Sequence, residues 1–258
     1  MKTTTLFLIF FGLYASGQQT TSQLQDSLIQ QFKQHCSKIN FNTQMAQRQS
    51  CIDNLLKQDS TVAYLWQQKA MPYFKVKKYE VGMQYLDKAV QYDQKRWLPY
   101  RAFIKCIFAK TYKDAIQDFQ LCIEQWGDNY VMDHTFSFYI GMSYLQLNEF
   151  EKAKSHFQTS IKSQEQAFGN AHFLDLFYHG ITFLELQQYN KAIQILDKAL
   201  DQYPNFSDAL YYKALCLMHL NQSYEALLQQ AQTLANQGYT ITEDNAIYEP
   251  YPYQVKWK

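Results

Sequence analysis

Six histidines, five cysteines and 23 acidic side chains are the groups with which this 258-residue chain could do chemistry. The histidines are His35, His134, His156, His172, His179 and His219. They form no HExxH, and no Cys-x-x-Cys pair accompanies them, so the sequence lacks the usual zinc spacings. His172 and His179 stand at i, i+7 and could share a helix face, but two lone imidazoles so spaced are read as surface or packing residues. Carboxylates such as Asp201 and Glu185 sit among Lys and Gln, as on solvated helix faces. Eight scattered glycines make neither a dinucleotide fingerprint nor a phosphate-binding loop. The chain is therefore expected to be no enzyme and to use no cofactor or metal.

The cysteines pose a different question. Five is an odd number, so at least one thiol stays free or pairs between chains. Cys106, Cys122 and Cys216 fall on packing positions and read as small buried hydrophobes. Cys36 and Cys51, 15 residues apart on two neighbouring helices, are the candidate disulfide. Such a bond would close a short loop and add roughly 3 kcal/mol by chain entropy, provided the Cα atoms lie within about 7 Å. An oxidising compartment is suggested by residues 1–17: Lys2, an apolar stretch from Leu6 to Tyr14, then small residues to Gly17. That pattern is a secretory signal peptide, too short to span a bilayer. Lys2 is one of 24 basic residues, so its removal balances the 23 acidic ones. A neutral chain without a basic cluster has no footprint for nucleic acid, and no membrane insertion is expected after cleavage.

Positioning falls to helices. Trp66, Ala70 and Tyr73 repeat at i, i+4, i+7, and Gly82, Leu86 and Ala89 do so beyond the polar turn Lys77-Lys78. Two such amphipathic helices make an antiparallel hairpin. The pattern recurs with Tyr100, Ile104, Ile107 and Ala115, Phe119, Cys122; with Ser137, Gly141, Tyr144 and Ala153, Phe157, Ser160; and with Leu176, Gly180, Phe183 and Ala192, Leu196, Ala199. A weaker fifth copy carries Leu210, Ala214, Leu217, then Leu227, Ala231 and Leu234. Small residues recur at one site per helix because helix axes approach closely only there.

The segments YEVGMQYLDKAV, YKDAIQDFQLCI, FEKAKSHFQTSI and YNKAIQILDKALDQYP resemble the tetratricopeptide repeat family, with Pro204 where that family ends a repeat. The resemblance implies an all-α, right-handed solenoid of about five to six helix-turn-helix hairpins, and it is generic to exported bacterial repeat proteins. The chain then divides into a signal peptide (1–17), a flexible mature N-terminus (18–23), a degenerate capping hairpin (24–60), the solenoid (61–235) and an extended aromatic tail (236–258). From Gly82 to Ala115 is 33 residues, but the next two intervals, to Ala153 and Ala192, are 38 and 39, against about 34 for the family. The extra residues belong in WGDNYVMD and KSQEQAFGN, where longer helices are preferred to loops.

In such hairpins the first helix of each repeat faces the concave side. The stripe on it reads Tyr64, Gln67, Met71, Phe74; Arg101, Lys105, Phe108; Phe138, Met142; Phe177, Ile181, Leu184; Tyr211 and Met218. An apolar groove of this kind suits a peptide or amphipathic helix, unless its residues pack internally or the chain covers them itself. The tail, with Tyr248, Tyr251, Tyr253 and Trp257, is barred from a regular helix by Pro250 and Pro252. It is expected to lie back on the last repeats, leaving the groove open near Met71, Phe74, Phe108 and Phe138. The function expected is a protein-binding scaffold of the bacterial cell envelope, periplasmic or secreted, with a protein or peptide partner. A self-assembling homo-oligomer is the alternative, and an enzyme-associated subunit the third.

Overall fold

The structure, a computed structural model, describes residues 22–257. The stretch expected to be a signal peptide (1–17), most of that expected to be a flexible N-terminus (18–23), and Lys258 lie outside the described residues. Among those described, the chain divides into two compact units, ending and beginning at Trp97 and Leu98.

The first unit holds two hairpins. Helix α1 (22–34) leads through a 3-10 turn, Cys36–Lys38, to α2 (Phe41–Leu56), and α3 (Ala63–Lys75) pairs with α4 (Tyr79–Tyr92). Leu28, Phe32, Ile52, Leu55, Leu56 and Leu65 form one apolar cluster across α1 to α3. The Cys36–Cys51 disulfide closes the first hairpin with Cα atoms 5.7 Å apart. Beside it the Arg48 guanidinium donates to the carbonyls of Cys36, Ser37 and Ile39, at 2.9, 2.8 and 3.2 Å. The guanidinium thereby holds the 3-10 turn that the Ile39 amide closes on the Cys36 carbonyl at 3.2 Å. Gly82 shows why α4 needs a small residue, since a Cβ there would stand 2.5 Å from the Phe74 ring.

Helix α5 (Gln94–Ile104) begins at the end of the first unit and runs, through a π-helical turn at Lys105–Ala109, into the second. There the π-helical turn packs on α6 (Tyr112–Trp126), whose Asp118 pairs with Arg101 and Lys105; α7 (Phe136–Gln146) pairs with α8 (Phe150–Phe168), α9 (Phe173–Glu185) with α10 (Tyr189–Gln202), and α11 (Ser207–His219) with α12 (Glu225–Asn236). Gly141 rests on Phe157, and a Cβ at Gly180 would meet Leu196 at 2.8 Å. The periodic small residues are thus the close contacts within each hairpin.

The two insertions fold differently. Gly127, at φ +78°, ends α6, and the chain then forms a short β-hairpin in which β1 (Tyr130–Val131) pairs with β2 (His134–Thr135). Helix lengthening was expected there, but a glycine in a conformation open to few other residues stops the helix first. The second insertion does lengthen a helix: α8 runs for 19 residues and ends only at Gly169, φ +85°.

Candidate partner groove

The side chains expected to line a groove are largely buried within their own unit. In the first unit Gln67 and Phe74 are buried, with Tyr64 and Met71 half-buried; Tyr64 meets the edge of Phe32. In the second, Phe108, Phe138, Met142, Phe177 and Ile181 are buried, Leu184 and Tyr211 half-buried, and Met218 exposed. Phe74, Phe108 and Phe138 are therefore core residues rather than an open binding surface, because they fill space between helices: Phe74 under Gly82, Phe108 against Phe103, Phe138 among Phe157 and Tyr178. The basic pair is committed as well. Arg101 makes a two-pronged ion pair with Asp118 of α6, at 2.8 and 2.9 Å, and Lys105 Nζ lies 2.7 Å from the same carboxylate.

The tail lies across the second unit, bonded to side chains of α9 and α11. After α12 the backbone turns at Gly238 (φ +89°), and the Ser207 amide donates to the Tyr239 carbonyl at 2.9 Å. The tail contains a 3-10 turn at Asp244–Ile247 and a second turn in which the Gln254 amide donates to the Tyr251 carbonyl (3.1 Å) and Tyr253 takes φ +58°. It crosses to the start of α7, where Glu243 meets His134, and Glu249 lies 3.5 Å from Lys110 beyond the π-turn. It then returns to α11. On the way the Tyr178 hydroxyl donates to the Pro252 carbonyl (2.7 Å), the Tyr253 hydroxyl donates to Glu185 (2.6 Å), and the Val255 amide donates to Asp208 (2.7 Å). Tyr251 is 3% exposed, Tyr253 meets Tyr212, and Trp257 meets Tyr211 edge-on. Tyr248 is half-buried. Side chains on α9 and α11 thus bond the tail backbone while aromatic rings fill the space, the two means by which a groove holds extended peptide.

Under the tail lies a buried polar node. His134 Nδ1 is 2.9 Å from Asp175 Oδ2, and Nε2 is 3.3 Å from Glu243 Oε1. Asp175 Oδ1 accepts from Ser160 (2.5 Å) and Gln164 (2.8 Å), and the Gln164 carbonyl oxygen accepts from the His172 amide (2.6 Å). The His134 ring stacks on Phe138, with centroids 3.9 Å apart. Burial alone would lower the His134 pKa, but the bonds to Asp175 and Glu243 outweigh it and raise it to about 9. The ring is then an imidazolium donating from both nitrogens. Burial would raise the Glu243 pKa, yet His134 draws it below the usual value. Burial, followed by the charge of His134, lowers that of His172. His134, His172 and Asp175 bring one donor atom each to within 4.8 Å of one another.

Sequence reading placed His172 and His179 on one possible helix face; in the structure the imidazole beside His172 is that of His134, 38 residues earlier, at 5.1 Å. His179 stands apart against Phe183, its pKa lowered to about 4 by burial. Cys106, Cys122 and Cys216 are buried, with thiols pushed up to about 12 mainly by desolvation, which makes them poor nucleophiles.

Two family models for tetratricopeptide repeats match the chain, over residues 138–166 and 179–239. No curated protein matches in sequence. Among solved structures, PilW, described as a widely conserved type IV pilus biogenesis factor, is 14% identical over 86% of this chain and 95% of its own, with a TM-score of 0.62. A tetratricopeptide repeat protein from Parabacteroides merdae is 12% identical over 83% and 80%, TM-score 0.65. YrrB, described as a TPR protein with an unusual peptide-binding site, is 15% identical over 72% and 92%, TM-score 0.52. At these identities the likeness is one of fold. No helix among the described residues is long and apolar enough to cross a membrane.

Proposed function

The chain is a tetratricopeptide-repeat protein, and from that premise we propose that it is a non-catalytic protein-binding scaffold of the bacterial cell envelope whose C-terminal groove takes extended, aromatic and proline-containing polypeptide. One observation carries this reading: residues 239–257 lie in that groove as a peptide would, held through the Pro252 carbonyl and the Val255 amide as well as by their rings. Backbone bonds of this kind do not depend on which protein supplies the strand. The tail is therefore a resident occupant, and a partner segment of similar chemistry competes with it. Export is supported by the Cys36–Cys51 bond, since disulfides persist in oxidising compartments.

The test removes the occupant. A chain ending at Gly238 should melt lower, bind more of a hydrophobic dye, and take up a labelled peptide of residues 239–258 that the full chain refuses. Val255→Pro in the full chain, which deletes the amide that bonds Asp208, should allow weaker uptake without truncation. A helical truncated chain that ignores the peptide would sink the proposal.

A further inference from the structure

We propose that His134, His172 and Asp175 form a binding site for a divalent transition-metal ion, zinc being the one their donors suit. This does not rest on the partner-groove reading. Two imidazoles and a carboxylate are a recurrent zinc donor set, and here they converge from β2 and the first turn of α9 with one donor atom each within 4.8 Å. His134 Nδ1 and Asp175 Oδ2 are 2.9 Å apart. Adjacent ligands of a tetrahedral ion with bonds of about 2.0–2.1 Å lie roughly 3.3 Å apart. These two atoms need to spread by a few tenths of an ångström and His172 to swing inward. Its Nδ1 accepts only a long bond, 3.3 Å, from the Leu174 amide. Whichever ring nitrogen takes the ion, that bond is given up, because the other nitrogen must carry the proton.

Two further observations favour an ion. The shell around the donors is already that of a ligand set: His134 Nε2 faces Glu243, and Asp175 Oδ1 accepts from Ser160 and Gln164. Such outer partners fix the tautomer and aim of metal ligands. Charge points the same way. The carboxylates of Asp175 and Glu243 are both buried here, with side chains 7% exposed or less, and the two charges of a divalent ion held by neutral imidazoles would match them, as buried charges require.

The mature full-length chain, stripped with chelator, is titrated with Zn²⁺ and separately with Co²⁺. One equivalent is expected, with visible absorption bands of tetrahedral cobalt and a higher melting temperature in excess metal. His172→Ala should lose at least tenfold in affinity, and Glu243→Gln should lose roughly 10- to 100-fold as an outer-shell partner. Substoichiometric uptake, or full affinity in a folded His172→Ala chain, overturns the proposal. If His172→Ala does not fold, cobalt spectra of the unaltered chain decide: no tetrahedral bands refutes the site.

Discussion

Asp208 is the side chain whose titration can be followed most cleanly. Burial raises its pKa to about 6, and the bond from the Val255 amide only partly offsets this. Between the ordinary carboxyl value of 3.8 and about 6, the folded chain holds a proton that the unfolded chain has lost. Stability from this group is therefore present at low pH and falls as pH rises through that window, by about 2–3 kcal/mol. Asp208→Asn keeps an oxygen for the Val255 amide and removes the charge. Urea midpoints should be higher than wild type at pH 7 and closer to it at pH 4.5; a variant weaker at both would show that the ionised carboxylate stabilises the fold. At this scale the sequence was only partly legible. Gly82, Gly141 and Gly180 announced themselves by period, and Cys36 and Cys51 by their 15-residue separation, although Cys36 lies in the 3-10 turn rather than on α1. His134, His172 and Asp175 gave no sign: 38 and 41 residues separate His134 from the other two, and a hairpin and a loop join them, where no helical spacing applies.

Hairpin elements depend on how closely two axes approach. At Gly180 a single added carbon would stand 2.8 Å from Leu196 and 3.5 Å from the Ala192 carbonyl. Gly180→Leu adds four carbons where there is room for none, so it should cost about 1–3 kcal/mol or more. The reading is a lower urea midpoint with an unchanged slope, and a midpoint equal to wild type would mean that α9 and α10 do not touch there. The same periodicity misleads on the other face. Phe138 and Phe177 fall on the stripe that a groove would use, yet both are fully buried. Helical spacing marks a side as apolar without saying whether helix, tail or partner covers it. The insertion at Tyr130–Thr135 was unreadable for a related reason, since two-residue strands are shorter than any period that could reveal them.

For the molecule as a whole, export is the claim with the plainest measurement. Intact mass of protein recovered from the cell envelope should correspond to a chain starting at Gln18, two mass units lighter than its reduced form because of Cys36–Cys51. A mass that includes Lys2 would refute export. Repeat length alone read as one continuous solenoid, whereas the described residues divide into two compact units at Trp97 and Leu98.

The bond between His134 and Glu243 joins residues 109 positions apart. A chain made from its N-terminus at about 5–20 residues per second emits helices α7 to α11 seconds before the strand that covers them. For that interval the face that the tail later covers stands bare, a time window in which a chaperone meets it without competition, and residues 239–257 close it when they emerge.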